Sequence, residues 1–370
     1  MDKLPIITAS VLLFLMLAYF GNYNIQQMHS GGFYRTSQET KTLGNVVYYK
    51  EGLYATVSVR ELTTEFPARQ HAKALYINGI GQGSTEIPAL RTNFLLSYLP
   101  LLIKPEIQEA LVIGLGTGMT SGHLSQSAHV KTIEIEPGVV EASSHFNLFN
   151  LDVLNNKNHA LLVDDGRNYL LRNEEKYDLI ATAPANIWQS FSSNLFSKEY
   201  LGIVKEDLGK NGFYVQWVPI YSMSPQDFKN FYKTFSEIFP HNAAFANIRA
   251  DEPEIPVSFE TSELIFIGSS NKFDLDFLNE NYDKLPEVSR QYLSLTYLNS
   301  GDDIYDLFLF DDEDLKGYAD DALVVTDNNL ILEFSSAKSV LNQYPKAVVY
   351  DINKFLAKEA SAQEQSSETR

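Results

Sequence analysis

Apolar residues gather along this chain in three distinct regimes. The first is Leu4–Phe20, LPIITASVLLFLMLAYF, which contains no charge. As a helix it spans roughly 26 Å, just short of the about 30 Å of a bilayer's hydrocarbon core. A signal peptide is the competing reading. Its leading region would hold only Lys3 and the amino terminus against Asp2, and Ala18 is followed by Tyr19 and Phe20 rather than by a small-x-small site. A buried core helix fits less well, because the run is apolar all round. The expectation is therefore a single, uncleaved N-terminal membrane anchor. Lys3 on one side and Arg35 and Lys41 on the other give too little bias to orient it.

The second regime alternates. Asn45–Lys50, Leu53–Arg60 and Ala72–Asn78 carry β-branched and aromatic residues between turn signals at Glu51-Gly52 and Asn78-Gly79. They predict a small antiparallel sheet. In the third regime short apolar runs alternate with helical stretches, as in a parallel α/β sheet. The runs are Ala110–Ile113, Val130–Ile135, Ala160–Val163, Tyr177–Ala181 and Gly212–Val218. A further strand is expected at Glu263–Gly268, then acidic, helix-prone sequence to about Tyr350. The end, KEASAQEQSSETR, is low in complexity and reads as disordered. The pattern divides the chain into an anchor (1–24), a linker (25–43), a β module (44–100), an α/β domain (101–270), a C-terminal extension (271–350) and a tail (351–370).

Composition narrows the function. The net charge is −18, which argues against broad nucleic-acid binding, since phosphates need a basic surface. An acidic solvated surface accounts for this charge better than a cationic ligand does. Cysteine is absent, so there are no disulfides, no thiolate metal sites and no cysteine nucleophile. The seven histidines lack HxxxH or HxH spacing, and no metal is expected. The clusters Asp302-Asp303 and Asp311–Asp314 lack the spacing and glycine of a calcium loop.

Candidate chemistry begins at LVIGLGTGMT, where Gly114, Gly116 and Gly118 directly follow a strand. Glycines there permit a tight turn and close approach of backbone to ligand. Alone such a loop also fits a ligand-free turn. The next strand ends in Glu134, where an acid can accept hydrogen bonds from ribose hydroxyls. A third runs into Asp164-Asp165-Gly166, where a carboxylate can contact the adenine amino group. In this order, at successive strand ends, the three signals make a nucleoside site.

These residues bring a resemblance. From about Tyr49 to Lys338 the chain is similar to the spermidine synthase-like family, the aminopropyltransferases built on the methyltransferase Rossmann-like fold. It looks closest to the branch joined to membrane segments. The carriers are YYKEGLYATVSV, LYINGIGQGST, YLPLLIKP, ALVIGLGTG, TIEIEP, VDDGRNYLL, KYDLI, NLFSKEYLGIVKEDLGKNGFYVQWVP and VVTDNNLILEFSSAK. The implied fold is α/β, a Rossmann-like S-adenosylmethionine-dependent methyltransferase fold with a small N-terminal β-sheet module and an N-terminal transmembrane helix. The resemblance implies that Gly114, Gly116, Thr117 and Gly118 cradle the amino-acid or aminopropyl end of the co-substrate. It further implies that Glu134 binds the ribose and that Asp165, beside Asp164, binds the adenine. Gln82 follows a turn matching the family's LDGxxQ, and Trp188 is placed to line a gate over the ligand. Surface hydrogen bonding and simple packing explain these two equally well.

The departures fall on the amine side. The family's glycine loop carries an Asp where this chain has Thr117. Its catalytic Asp-Ser-Ser-Asp-Pro aligns with Ala183-Pro184-Ala185-Asn186-Ile187, so both acids are missing. The membrane-joined branch's Glu-Pro-Ser-Asn-Pro-Trp matches at Pro184, Asn186 and Trp188, but Ala183 replaces its Glu. The Tyr-His-Glu expected before the LPL segment is not visible around Arg91-Thr92-Asn93. Asn186 would stand in the catalytic position, accepting a hydrogen bond from an amine through its carbonyl but unable to serve as a carboxylate base.

Three readings stay open. The first is transfer of an aminopropyl group from decarboxylated S-adenosylmethionine to a small-molecule amine. The second is methyl transfer from S-adenosylmethionine, whose carboxylate a neutral Thr117 would no longer repel. The third is a catalytically inactive, membrane-anchored nucleoside-binding module. An active transferase would face the cytoplasm, where its co-substrate is made, and a homodimer is among the assemblies these readings admit.

Overall fold

The computed structural model describes residues 44–62, 72–184, 186–247, 263–342 and 345–368. The expected anchor at Leu4–Phe20 and the linker at 25–43 lie outside them. Among the described residues no helix is long and apolar enough to cross a membrane.

Two compact units divide the chain between Glu86 and Ile87. The boundary falls earlier than the expected 100/101, because the long helix there belongs with the second unit. The first unit holds an antiparallel sheet of β1 (Asn45–Glu51), β2 (Thr56–Glu61), β3 (Lys73–Ile77) and β4 (Ile80–Ser84), paired in chain order. The turn between β3 and β4 is Asn78-Gly79, both at positive φ (50° and 74°), the chemistry of a tight hairpin. Val57, Val59 and Leu75 supply its buried positions. The strand predicted from Leu53 starts only at Thr56, after a turn closed by the Gly52 N–H on the Ala55 carbonyl at 2.9 Å.

The second unit is built on an eight-stranded sheet. Its strands are β5 (Glu109–Ile113), β6 (His129–Glu134), β7 (His159–Val163), β8 (Tyr177–Thr182), β9 (Leu208–Val218), β10 (His241–Ala246), β11 (Leu264–Ser269) and β12 (Phe308–Asp311). Their order is β12-β10-β11-β9-β8-β5-β6-β7. β5 to β9 pair in parallel, and β9, β11, β10 and β12 pair antiparallel. The central β5 has β6 on one side and β8 on the other. Strand order therefore reverses there, which opens a crevice beyond the carboxyl ends of the strands.

Side-chain alternation supplies the core. Leu111, Ile113, Ile180, Tyr214 and Phe266 join Phe228, Phe231 and Phe235 of the helix Pro225–Ile238 in one cluster. That helix is fixed at its start by a reciprocal box between Ser224 and Asp227. The helix α1 (Ile87–Ile103) lies against β8, β9 and β11. It is buried almost throughout from Leu90 to Leu102, as expected of a helix apolar on every side.

Two expectations are corrected toward the C-terminus. The stretch assigned to a separate extension contributes β12 to the main sheet through its pairing with β10. The tail expected to be disordered from residue 351 is instead helical across Pro345–Glu368. Its Ala, Glu, Lys and Gln content favours helix, and Val348 and Ile352 anchor its first turns in the core.

Candidate nucleoside and acceptor site

Gly114, Gly116 and Gly118 leave β5 with φ of 90°, 55° and 80°, conformations that other residues rarely adopt. The loop then enters α2 (Met119–Leu124). A Cβ built on Gly116 would meet nothing within 4 Å, so open space faces the turn. Thr117 is buried, and its carbonyl accepts from the Asn150 amide at 2.9 Å.

Glu134 ends the neighbouring β6 and holds this loop. Its carboxylate accepts the Leu115 N–H at 2.8 Å and the Glu136 N–H at 2.9 Å. The side chain is buried, and burial pushes its carboxyl up from the ordinary range despite backbone N–H groups that favour the charged form. Positioning the loop is thus a second task for a residue expected only to bind ribose.

One strand further out, β7 delivers Asp164 and Asp165. Asp165 caps the helix α3 (Gly166–Arg172), accepting the Asn168 N–H at 2.7 Å. Asp164 accepts the Asp165 N–H at 2.8 Å and forms an ion pair with Arg172. Leu162 and Val163, which end this edge strand, are 42% and 50% exposed. Glycine loop, Glu134 and Asp165 therefore occupy the carboxyl ends of β5, β6 and β7, as the sequence ordering implied. Within α3, Arg167 forms a two-pronged pair with Asp327, which gives that acid a structural partner.

On the other side of β5 lies the segment after β8. Gly114 looks onto the Ala183 carbonyl, 3.7 Å from its built Cβ. Asn186 is buried, and its Oδ1 accepts from the Tyr221 hydroxyl at 2.6 Å. Its Nδ2 is buried without a partner. The accepting role expected of Asn186 is thus largely taken by Tyr221, and its uncommitted group is a donor. Trp188 is half-buried, with its ring 6.4 Å from Tyr221 in an edge contact. Trp217 also stands 6.4 Å from Tyr221, in a tilted contact. Gln216 is fully buried and donates to the Leu195 carbonyl at 3.0 Å, a structural role. Gln82 lies on β4 of the first unit, half-buried, with its Nε2 lacking a partner.

The sequence reading passed over Glu263. It stands immediately before β11, whose Leu264 pairs with Val218 at the end of β9. Its Oε2 accepts from Thr92 Oγ1 at 2.8 Å and Asn247 Nδ2 at 3.2 Å, and the Trp217 side chain gives a third hydrogen bond. Burial pushes this carboxyl up as well. The available signal was one acid opening an otherwise apolar strand. Among the described residues no group of three or more His, Asp or Glu is placed to hold a metal ion.

Known proteins resemble this chain in sequence and in fold. The spermine/spermidine synthase domain matches residues 92–252. The polyamine aminopropyltransferase of Lachnoclostridium phytofermentans is 22% identical over 264 residues, covering 70% of this chain and 90% of the relative. That of Clostridium perfringens (strain SM101) is 24% identical over 270 residues, covering 72% and 90%. Among solved structures, a spermidine synthase in complex with the transition state analogue AdoDATO superposes with a TM-score of 0.51. It has 17% identity and covers 68% of this chain and 87% of that one. A probable spermidine synthase from Corynebacterium glutamicum gives 0.50 at 14% identity, covering 76% and 97%. The fold is therefore the α/β Rossmann-like, methyltransferase-type fold, with a small N-terminal sheet.

Proposed function

We propose that this chain, matched by the spermine/spermidine synthase domain, is a spermidine synthase-like transferase. It binds decarboxylated S-adenosylmethionine and passes the aminopropyl group to a small-molecule amine. The observation that carries this reading is the ordered set Gly114–Gly118, Glu134 and Asp165 at the carboxyl ends of three adjacent strands. The open space over Gly116 admits the chain of the co-substrate, and Glu134 and Asp165 supply acceptors for ribose and adenine. In the transfer, the lone pair of a neutral amine forms the new N–C bond. The C–S pair returns to the sulfonium sulfur, leaving neutral methylthioadenosine and a secondary ammonium. The reaction asks the protein chiefly to align the two reactants and to exclude water.

Release of methylthioadenosine from decarboxylated S-adenosylmethionine, across a panel of amines, tests this directly. No turnover with any amine counts against it.

The buried, neutral Thr117 favours a second reading, methyl transfer from intact S-adenosylmethionine. It predicts tighter binding of the intact co-substrate than of the decarboxylated one. Calorimetry giving the reverse order removes it. Nucleoside binding without any product would instead support an inactive module. We further propose that Leu4–Phe20 anchors the protein in a membrane with its catalytic part facing the cytoplasm. Protease protection of that part within right-side-out vesicles, and its loss on permeabilisation, is the expected outcome.

A further inference from the structure

The helix α3 carries two cations just after the two acids that end β7. Arg172, in its last turn, pairs with Asp164. Arg167, in its first turn, does not pair with either of these acids. It reaches Asp327, 160 positions along the chain. Its Nη1 donates to Asp327 Oδ1 at 2.9 Å and its Nη2 to Oδ2, so both tines of the guanidinium fork are engaged. Each cation thus has an acid of its own, and Asp165 is left over. Among the described residues its carboxylate accepts the Asn168 N–H at 2.7 Å and has no cationic partner.

Asp327 is fixed where Arg167 meets it. Its N–H donates to Glu199 Oε2 at 3.0 Å. The same stretch is tied to the start of the helix Lys198–Asp207, where the Lys198 N–H donates to the Val325 carbonyl at 2.8 Å. The two charges then hold each other. The pair keeps the Arg167 guanidinium above its ordinary value and the Asp327 carboxyl below the usual carboxylate range.

The alternative partner for Arg167 is close at hand. Arg167 stands two residues after Asp165, and the buried hydroxyl of Tyr200 feels the charges of both. A guanidinium released from Asp327 would therefore find Asp165 within reach of its flexible stem. Such a pair is two-pronged by preference, and it would occupy the acceptor positions that an adenine amino group needs. A carboxylate without a cation keeps an oxygen open to a donor from a ligand.

Resting on the nucleoside reading of Asp165, we infer that Asp327 is a positioning residue for the co-substrate: it draws Arg167 away from Asp165 and so keeps that carboxylate free for the adenine amino group. This role differs from that of a simple brace between α3 and the C-terminal part of the chain. A brace fails alike when either partner is removed. A decoy fails only when the acid is removed and the cation stays.

The test is calorimetric binding of methylthioadenosine to the full chain, as wild type, Asp327→Asn, Arg167→Gln and the double variant, with melting midpoints recorded beside it. We expect Asp327→Asn to bind about five-fold or more weakly, as competition for one charged hydrogen bond does. Arg167→Gln and the double variant should bind within about two-fold of wild type, even where their melting midpoints fall. Equal affinity in wild type and Asp327→Asn overturns the inference. So does a loss in Arg167→Gln or in the double variant that matches the loss in Asp327→Asn, which is the mark of a brace. Should Asp327→Asn not fold, Arg167→Gln decides alone by the same two-fold criterion. Failure of the nucleoside reading is seen separately in Asp165→Ser, which keeps a capping oxygen but withdraws the carboxylate. Wild-type affinity there removes the adenine assignment and the inference with it, whereas weakened binding there beside an unaffected Asp327→Asn removes the decoy role alone.

Discussion

Replacing Glu134 by Gln separates the loop-holding task that the structure shows from the ribose-binding task proposed for this side chain. One oxygen holds the Leu115 N–H at 2.8 Å and the other the Glu136 N–H at 2.9 Å. In the variant one oxygen becomes an NH2 group, so a donor faces a donor and one buried N–H loses its acceptor. A hydrogen bond to a charged group is worth about 1.5–3 kcal/mol, and an unsatisfied buried donor costs about 1–3 kcal/mol. The glycine loop should therefore loosen, and urea unfolding should record a loss of about 1–3 kcal/mol. A ribose hydroxyl loses its charged acceptor at the same time. That loss corresponds to roughly 10- to 150-fold in the dissociation constant of methylthioadenosine, measured by calorimetry. Stability lost with affinity unchanged would make Glu134 a brace of the loop and nothing more. That result would refute the nucleoside assignment at this position.

Other parts of the fold give sharp expectations. His123 is fully buried, donating from Nε2 to the Phe149 carbonyl at 2.9 Å and accepting from the Tyr98 hydroxyl at Nδ1 at 2.6 Å. Burial pushes it down to about 4 from an ordinary 6.5. The unfolded chain therefore binds this proton more readily, and the stability owed to neutral His123 is complete above about pH 6.5 and lost as pH falls toward 4. The gap is worth about 3 kcal/mol. His123→Phe should be less stable than wild type at pH 7 yet lose less between pH 6.5 and 4, in denaturant unfolding at each pH. His159, also pushed down to about 4, contributes equally to both proteins and cancels in the difference. Gly122 packs α2 against backbone, and a Cβ there would lie 1.9 Å from the Asn150 carbonyl oxygen. Gly122→Ala should cost at least about 1–3 kcal/mol, and an unchanged melting midpoint would contradict the packing.

The strands that carry the candidate nucleoside site were legible because each is a short apolar run ending in glycine or an acid. β5, β6 and β7 lie within a residue or two of their expected bounds. Other strands lacked that signature. β4 is IGQGS, with two glycines; β10 is HNAAFA, rich in alanine; β12 is four residues leading into acids. They are strands because neighbouring strands pair with them, which local pattern does not encode. The C-terminal tail misled in the opposite sense. Low complexity suggested disorder, while its Ala, Glu, Lys and Gln are good helix formers once Val348 and Ile352 have a core to enter.

The acceptor side was legible only as a deficit. Reading Ala183 and Asn186 against the resemblance marks two positions where the family's acids are replaced. It could not locate Glu263, whose partners lie 171 positions away at Thr92 and 16 positions away at Asn247. Antiparallel pairing of β11 with β9 is what brings this acid to the crevice edge.

The account's central claim is aminopropyl transfer, and the nucleoside product reads it most directly. The purified full-length protein would be incubated with either decarboxylated or intact S-adenosylmethionine, each with a di- and polyamine panel, and analysed by mass spectrometry. The account predicts methylthioadenosine, with an acceptor heavier by one aminopropyl group, from the decarboxylated co-substrate. S-adenosylhomocysteine from the intact co-substrate, with no methylthioadenosine from the other, would contradict it.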